Sequence, residues 1–242
     1  MSQQQTLAYS PETASHNFDL IKRELSKPGT YYVVFFGSVV YFTEVGSSGL
    51  KAGSITLPTT TKVNAFLDCR FTEAVSASKS HFYIINGAND SNGQHGTTYT
   101  TSLWVNNYNI NPFRRDILVK CFGLAPYETC DMKAIWMEEY GHSNTKTYIV
   151  GKTAKERRER LVELATTADQ TVISEGGPGT LDEVTMLYMA SPKIFEEKVF
   201  MTNISYLVDN VIPSELAKLT PLDVETKEVY TYFQTQFPTI SI

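Results

Sequence analysis

The sequence predicts an α/β fold in which an open parallel sheet carries helices on both faces. Short apolar runs without alternation, such as residues 31–36 (YYVVFF), alternate along the chain with longer stretches whose apolar residues have helical spacing. A continuous apolar run indicates a strand buried on both faces, and alternating strands and helices are typical of parallel sheets. No internal repeat and no linker interrupts this pattern. We therefore expect a flexible tail over residues 1–14 and a single domain over residues 15–242.

The predicted elements follow one another in a regular order after a first helix. Strands are predicted at residues 31–36, 81–85, 116–122, 146–150, 171–173 and 198–201. Helices are predicted at residues 16–25, 62–78, 97–107, 153–167, 179–188 and 206–219, the last one kinked or broken at Pro213. The stretch 39–61 is rich in Gly, Ser and Thr, which favours an insertion or lid after the first strand.

Composition and charge exclude several classes of protein. Apolar residues make up 42% of the chain and charged residues 19%, which suits a sizeable core. The net charge is -5 and no basic stripe is present, so nucleic acid is not an expected partner. No apolar run approaches the length of a membrane span, and the first residues lack the apolar segment of a secretory signal. Three cysteines without CxxC spacing and scattered histidines indicate a cytoplasmic protein with no disulfide framework and no metal site.

A glycine-rich turn follows the fifth predicted strand, in the sequence TVISEGGPGTLDE of residues 171–183. Ligands of open parallel sheets bind beyond the carboxyl ends of the strands. Gly176, Gly177 and Gly179 let the backbone approach a ligand closely. Pro178 has a φ angle suited to a helix start, which would place the hydroxyl of Thr180 near free N–H groups. The turn is therefore a candidate phosphate-binding site, although similar turns also occur without a ligand.

Charged side chains flank this turn on two predicted helices. Glu183 lies three residues after Thr180, so one helical turn places its carboxylate on the same side as the glycine turn. The preceding helix carries Arg157, Arg158 and Arg160. An arginine at that edge of the sheet pairs well with a phosphate or a catalytic carboxylate. The alternatives are a capping role or a solvated position for the glutamate, and a solvated helical face for the arginines.

The arginine-bearing helix, the sequence AD-x-x-x-I of residues 168–173 and the sequence GGxGTLxE together resemble the Lonely Guy (LOG) family. This family was long labelled lysine decarboxylase-like and belongs to the Rossmann-like nucleotide-binding proteins. Its two motifs are M-x-x-R-K on one helix and P-G-G-x-G-T-x-x-E after the next strand. Arg160 stands nine residues before Asp169, which is the family's spacing, and the glycines, Thr180 and Glu183 match the second motif. The resemblance runs from about residue 146 to residue 211, and more thinly over residues 31–38.

The resemblance implies an enzyme that cleaves the N-glycosidic bond of nucleoside 5′-monophosphates, releasing a free base and ribose 5-phosphate. The transition state of such a cleavage resembles an oxocarbenium ion, which a nearby carboxylate stabilises. By this resemblance Glu183 and Arg160 are catalytic, while Gly37, Ser38 and the turn 176–180 bind the ligand. No metal or cofactor is implied. The small-molecule partner is a nucleotide or nucleoside, and members of the family usually form homodimers.

The chain departs from the family at several positions, which adds three candidate site residues. Glu175 replaces the family's proline and brings a second carboxylate beside the proposed phosphate site. If Glu175 faces the ligand, an unphosphorylated nucleoside becomes the better substrate. Arg157 stands where the family has methionine, and Leu161 where it has lysine. Gly87 and the sequence GQHG of residues 93–96 match the family's second glycine-rich motif only loosely.

Two other functions fit the same residues. Related Rossmann-like proteins hold nucleotides or nucleotide-derived compounds without cleaving them, which makes a binding protein the first alternative. A base-exchanging glycosyltransferase is the second, because it uses the same carboxylate chemistry and passes the sugar to a new base.

Overall fold

A computed structural model of the chain describes residues 9–37, 40–41, 54–55, 57–87, 97–110, 117–129, 144–174, 176–202, 204 and 207–236. In chain order its strands are β1 (Thr30–Phe36), β2 (Val40–Tyr41), β3 (Ser54–Ile55), β4 (His81–Asn86), β5 (Leu118–Pro126), β6 (Thr145–Gly151), β7 (Gln170–Ile173) and β8 (Val199–Met201). Six of them form one sheet in the order β6-β5-β4-β1-β7-β8, and all neighbouring pairs are parallel. The two-residue strands β2 and β3 pair with each other, also in parallel.

The described residues form eight α-helices. They are α1 (Pro11–Leu25), α2 (Leu57–Ser76), α3 (Thr97–Ile110), α4 (Ala154–Thr167), α5 (Pro178–Ala190), α6 (Pro192–Lys198), α7 (Ile212–Leu216) and α8 (Val224–Gln236). A 3₁₀ turn at Tyr127–Thr129 follows β5, and a π-helical turn at Leu207–Val211 runs directly into α7.

Alternate residues of the central strand β1 point into two separate cores, one on each face of the sheet. Val34 and Phe36 belong to the larger core, which α1, α4, α5, α6 and α8 cover. Val33 and Phe35 belong to the smaller core, which α2 and α3 cover. A strand buried on both faces has no solvated side, which explains why its sequence is apolar without alternation. The predicted open parallel sheet with helices on both faces is confirmed.

The first helix begins earlier than its apolar spacing indicated. Ser10 caps α1, since its side-chain oxygen accepts a hydrogen bond from the backbone N–H of Thr13, and Pro11 occupies the first turn. Residues 11–14, which were expected to belong to a flexible tail, are therefore helical. Ala14 is buried, with 1% of its surface exposed. Residues 1–8 of that predicted tail lie outside the described residues.

Two other stretches differ from their predicted form. Helix α2 already starts at Leu57, inside the stretch 39–61 that was expected to be an insertion or lid. Apart from β2, β3 and the start of α2, this stretch lies outside the described residues. Near the end of the chain, where no element was predicted, α8 packs Val229, Tyr230 and Phe233 into the larger core.

Candidate functional site

The candidate site lies where the order of strands reverses across the sheet. From β1 the chain builds β4, β5 and β6 on one side, and then returns to place β7 and β8 on the other side. In open parallel sheets, the usual ligand position is beyond the carboxyl ends of the strands at such a reversal. Gly37, Gly87 and Ser174 directly follow β1, β4 and β7 at this edge.

Two hydroxyl groups fill the space beside Gly37. The hydroxyls of Thr97 and Ser174 are 2.8 Å apart, and Ser174 Oγ also donates to the backbone oxygen of Phe36 at 3.2 Å. A Cβ at Gly37 would overlap Ser174 Oγ and lie 2.6 Å from Thr97 Oγ1. Gly37 is thus a glycine because three segments meet here without room for a side chain. The first turn of α3 and the ends of β1 and β7 form one polar wall.

The glycine turn between β7 and α5 has the form that the sequence predicted for a helix start. Gly177 is the N-cap of α5 and offers no side-chain cap, and Pro178 occupies the first turn. The backbone N–H groups of Thr180 and Leu181 both donate to the oxygen of Gly177, at 3.0 and 3.1 Å. A Cβ at Gly176 would overlap Thr180 Oγ1, because the threonine side chain folds back over the turn. The positive end of the α5 dipole lies at this carboxyl edge of the sheet, which suits a negatively charged ligand group.

The start of α4 determines which arginine reaches this edge. Thr153 caps the helix by accepting from the N–H of Glu156 at 3.2 Å, while Glu156 Oε2 accepts from the N–H of Lys152 at 2.7 Å. This arrangement resembles a capping box and fixes the first turn of α4 at the carboxyl end of β6. Arg157 lies in that first turn. Arg160 lies about 4.5 Å further along the helix axis, away from the edge.

Arg157 and Glu183 form a buried ion pair behind the glycine turn. Arg157 Nη1 donates to Glu183 Oε1 at 2.5 Å, and the two side chains are only 7% and 4% exposed. Burial raises the pKa of Glu183 above its usual value, because the charged form loses its hydration. The nearby Arg157 guanidinium opposes this rise, Arg158 does so more weakly, and Asp182 adds to it. A buried carboxylate with a perturbed pKa beside a cation is an arrangement that occurs both at functional sites and in structural ion pairs.

The guanidinium of Arg157 also rests against the end of β4. A Cβ at Gly87 would lie 2.5 Å from Arg157 Nη1 and 3.2 Å from its Cζ. The backbone oxygen of Gly87 accepts a hydrogen bond from Thr98 Oγ1 at 3.0 Å. Within the described part of the chain, Arg157 Nε is buried and has no hydrogen-bond partner. Gly87 thus lies beside the ion pair.

A second ion pair lies nearer the surface at the start of α5. Arg158 Nη2 is 3.4 Å from Asp182 Oδ2, and their side chains are 21% and 47% exposed. Arg158 Nη1 is 3.7 Å from the position of a Cβ at Gly179, which is ordinary contact distance. Burial raises the pKa of Asp182, Arg158 opposes the rise, and Glu215 adds to it. A cation therefore lies beside the helix N-terminus that the sequence proposed for phosphate binding.

The structure brings most of the predicted site residues together, but it places Arg160 elsewhere. Arg160 Nη1 donates to the backbone oxygen of Ala14 at 2.7 Å, Nη2 donates to Ser15 Oγ at 3.3 Å, and the guanidinium lies 5.1 Å from the ring centre of Phe18. These contacts join α4 to α1. Arg157, predicted only as an additional candidate, occupies the place beside Glu183 that the family spacing indicated for Arg160.

Two predicted site residues, Ser38 and Glu175, lie outside the described residues. The prediction that Glu175 decides between phosphorylated and unphosphorylated ligands therefore stays a prediction.

Three polar residues of the site were missed by sequence reasoning: Thr97, Thr98 and Ser174. Ser174 directly follows a predicted strand, and the two threonines open a predicted helix after a loop, so their positions at the carboxyl edge were accessible from the sequence. Nothing in their residue types marked them, since Ser and Thr are equally common at ordinary turns and caps.

Metal-binding clusters and membrane-spanning helices are both absent from the described ranges. No group of three or more His, Cys, Asp or Glu side chains there is arranged to hold a metal ion. Within the same ranges, no helix combines the length and apolar character needed to cross a membrane. Cys69 and Cys121 are free thiols, the first exposed and the second buried.

Comparison of the chain with protein-family models, with curated proteins and with solved structures finds no match.

Proposed function

We propose that the chain hydrolyses the N-glycosidic bond of a nucleoside 5′-monophosphate or nucleoside, releasing the base and the sugar. The observation that carries this proposal is the buried pair of Arg157 and Glu183, directly behind the glycine turn of α5. The pair lies at the reversal of strand order, where open parallel sheets bind nucleotides. The resemblance to the LOG family supports the same chemistry with Glu183 as the catalytic carboxylate.

In the proposed reaction the bond between C1′ of the ribose and the base nitrogen breaks first. Positive charge develops on the sugar, and the carboxylate of Glu183 stabilises it. Water then adds to C1′ and passes its proton to Glu183, while the departing base takes up a proton from solvent. Arg157 holds Oε1 of Glu183, which leaves Oε2 for the sugar and the water. A pKa raised by burial favours this role, because a carboxylate with a higher pKa is a better proton acceptor.

The glycine turn supplies the binding part of the proposal. Gly179 leaves the backbone at the start of α5 accessible to a ligand, since the nearest atom to a Cβ there is Arg158 Nη1 at 3.7 Å, and the helix start favours a negatively charged group. A phosphate at this position would hold the ribose between the turn and Glu183. The same place suits a ribose hydroxyl if the substrate carries no phosphate.

Release of free base from a panel of nucleoside 5′-monophosphates and matching nucleosides, followed by chromatography, tests the proposal. We expect release by the wild type and a loss of about 10² to 10⁴ in kcat for Glu183→Gln, which keeps the size but removes the charge. Glu163→Gln is the control, because the Glu163 side chain is 56% exposed and faces Lys22. Glu163 also lies about 9 Å further along α4 than Arg157. Release by Glu183→Gln at the wild-type rate would contradict the assigned site.

Nucleotide binding without cleavage is the second candidate, and the deep burial of Glu183 favours it. A carboxylate that is 4% exposed and neutralised by an arginine also suits a purely structural pair. Tight binding with intact ligand recovered from the well-folded wild type would support this candidate and overturn hydrolysis. Adding a second free base to the assay separates hydrolysis from base exchange, since exchange alone yields a new nucleoside or nucleotide.

A further inference from the structure

The absence of a side chain at Gly87 leaves room for the guanidinium of Arg157. A Cβ there would lie 2.5 Å from Nη1 and 3.2 Å from Cζ, well inside normal contact distance. Gly29 is the only glycine with a positive φ in the described part of the chain. The φ angle of Gly87 is therefore one that any residue can adopt. Gly87 is therefore a glycine for reasons of space.

The guanidinium has little freedom to move aside from this contact. Its Nη1 is held by Glu183 Oε1 at 2.5 Å, and the Arg157 side chain is 7% exposed. Leu161 Cδ2 is also near, at 3.8 Å from the position of a Cβ at Gly87. A methyl group at Gly87 would displace Nη1 by roughly 1 Å to restore normal contact. A displacement of that size would break the observed contact between Arg157 Nη1 and Glu183 Oε1.

Thr98 in turn holds Gly87 at its place beyond the end of β4. Its Oγ1 donates to the Gly87 oxygen at 3.0 Å, and Thr98 is 3% exposed. Thr98 belongs to the first turn of α3, where its own backbone oxygen accepts from Ser102 Oγ at 2.8 Å. The chain of contacts thus runs from α3 through the end of β4 to Arg157 and then to Glu183 on α5.

We infer that Gly87 and Thr98 are positioning residues that hold the Arg157 guanidinium against Glu183. Neither contacts the reacting atoms, and both act through Arg157. The inference rests on the proposed function for its effect on catalysis, and on the observed contacts alone for its effect on the ion pair. It assigns Gly87 a role in orienting the catalytic carboxylate, rather than in recognising the base.

Titration of the Glu183 side-chain carboxyl by ¹³C NMR, assigned with Glu183→Gln, measures the ion pair without requiring activity. The charged groups that bear on Glu183 are Arg157 and Arg158 from α4 and Asp182 from α5. Gly87→Ala is expected to raise the Glu183 pKa further, because the nearest cation moves away. In an Arg157→Met background the same substitution is expected to change the titration little, since the group that it displaces is already gone. An equal shift in both backgrounds, or none in the first, overturns the inference.

A pair of substitutions at Thr98 keeps the test informative if Gly87→Ala folds poorly. Thr98→Val removes the hydroxyl that holds the Gly87 oxygen and is expected to raise the Glu183 pKa. Thr98→Ser keeps the hydroxyl and is expected to restore the wild-type titration. Equal titrations for these two variants contradict the inference.

Activity separates failure of the inference from failure of the proposed function. If the wild type releases base, Gly87→Ala is expected to lose about tenfold or more in kcat with a smaller change in KM. Unchanged kcat and an unchanged Glu183 titration would then overturn the positioning role while leaving the hydrolase standing. If the wild type releases no base, the proposed function fails, and the NMR titration still decides whether Gly87 and Thr98 hold the ion pair.

Discussion

At the scale of single residues, the glycines of the site are explained by contacts rather than by backbone conformation. Gly37, Gly87 and Gly176 each lack room for a Cβ, because Ser174, Arg157 and Thr180 respectively occupy that space. None of these three has a φ in the left-handed region. The motif in the sequence showed that glycines follow the strands, but the groups that fill the space come from distant parts of the chain.

Gly176, two residues before Pro178, and Gly179, directly after it, should respond differently to the same substitution. Gly176→Ala is expected to cost about 1 to 3 kcal/mol in free energy of unfolding, because the new methyl group overlaps Thr180 Oγ1 and lies 2.5 Å from its Cβ. Gly179→Ala is expected to be neutral or to stabilise by up to about 1 kcal/mol, since Arg158 is at ordinary contact distance and alanine favours the helix. Urea denaturation of both variants measures the difference. Equal stabilities would mean that the turn relaxes around either methyl group.

At the scale of secondary-structure elements, the cap of α4 decides which arginine meets Glu183. Arg157 and Arg160 lie on the same helix within one turn, so sequence spacing alone does not separate them. The distinction depends on where the helix begins relative to the sheet edge, and Thr153 and Glu156 fix that start. The family spacing selected Arg160, and no local pattern in the sequence pointed to its partners on α1.

Substitution of Arg160 tests this assignment at the level of helix packing. Arg160→Met is expected to cost about 1 to 2 kcal/mol in free energy of unfolding, because it removes the bonds to Ala14 and Ser15 and the cation above the Phe18 ring. Base release should stay within about twofold of the wild type, since Arg160 does not contact the Arg157–Glu183 pair. Urea denaturation and the chromatographic assay measure the two effects. Loss of catalysis with unchanged stability would return the catalytic role to Arg160.

The central strands of the sheet could be predicted from the sequence because burial on both faces leaves an unbroken apolar run. Strands β1 and β4 show this most clearly, since their central residues are almost completely buried. Helix α8 could not be predicted in the same way, because its β-branched and aromatic residues have weak helix propensity and its buried residues are few. Its helical state depends on packing against the larger core, which propensity does not report.

At the scale of the whole molecule, the buried ion pair depends on three elements that are distant in sequence. Helix α4 supplies Arg157, α5 supplies Glu183, and the end of β4 closes the space beside the guanidinium. Desolvation of two charges is expensive, so such a pair adds little net stability while its disruption costs much. A buried carboxylate with a perturbed pKa at the carboxyl edge of a parallel sheet is typical of functional sites, which supports the proposed role of the pair.

Removal of the cation should make the stability of the whole molecule depend on pH. Without Arg157, the folded-state pKa of Glu183 rises further above its ordinary value of 4.5, because burial still penalises the charged form and its nearest opposing charge is lost. Below pH 4.5 the carboxyl is protonated in both the folded and the unfolded states, so it does not lower the free energy of unfolding there. As pH rises from 4.5 through the folded-state pKa, the unfolded chain ionises first, and stability is lost.

Arg157→Met is therefore expected to lose more stability near neutral pH than in mild acid. We expect a loss approaching about 3 kcal/mol in free energy of unfolding at about pH 8, and a clearly smaller loss at about pH 5. Urea denaturation at both pH values measures this. Lys155→Met is the matched control on the same helix, because its partner Glu159 and Lys155 itself are 48% and 78% exposed. The control should change stability by less than about 0.5 kcal/mol at either pH. An equal loss for Arg157→Met at both values would show that Glu183 stays solvated in the folded protein, and that its burial does not control its charge.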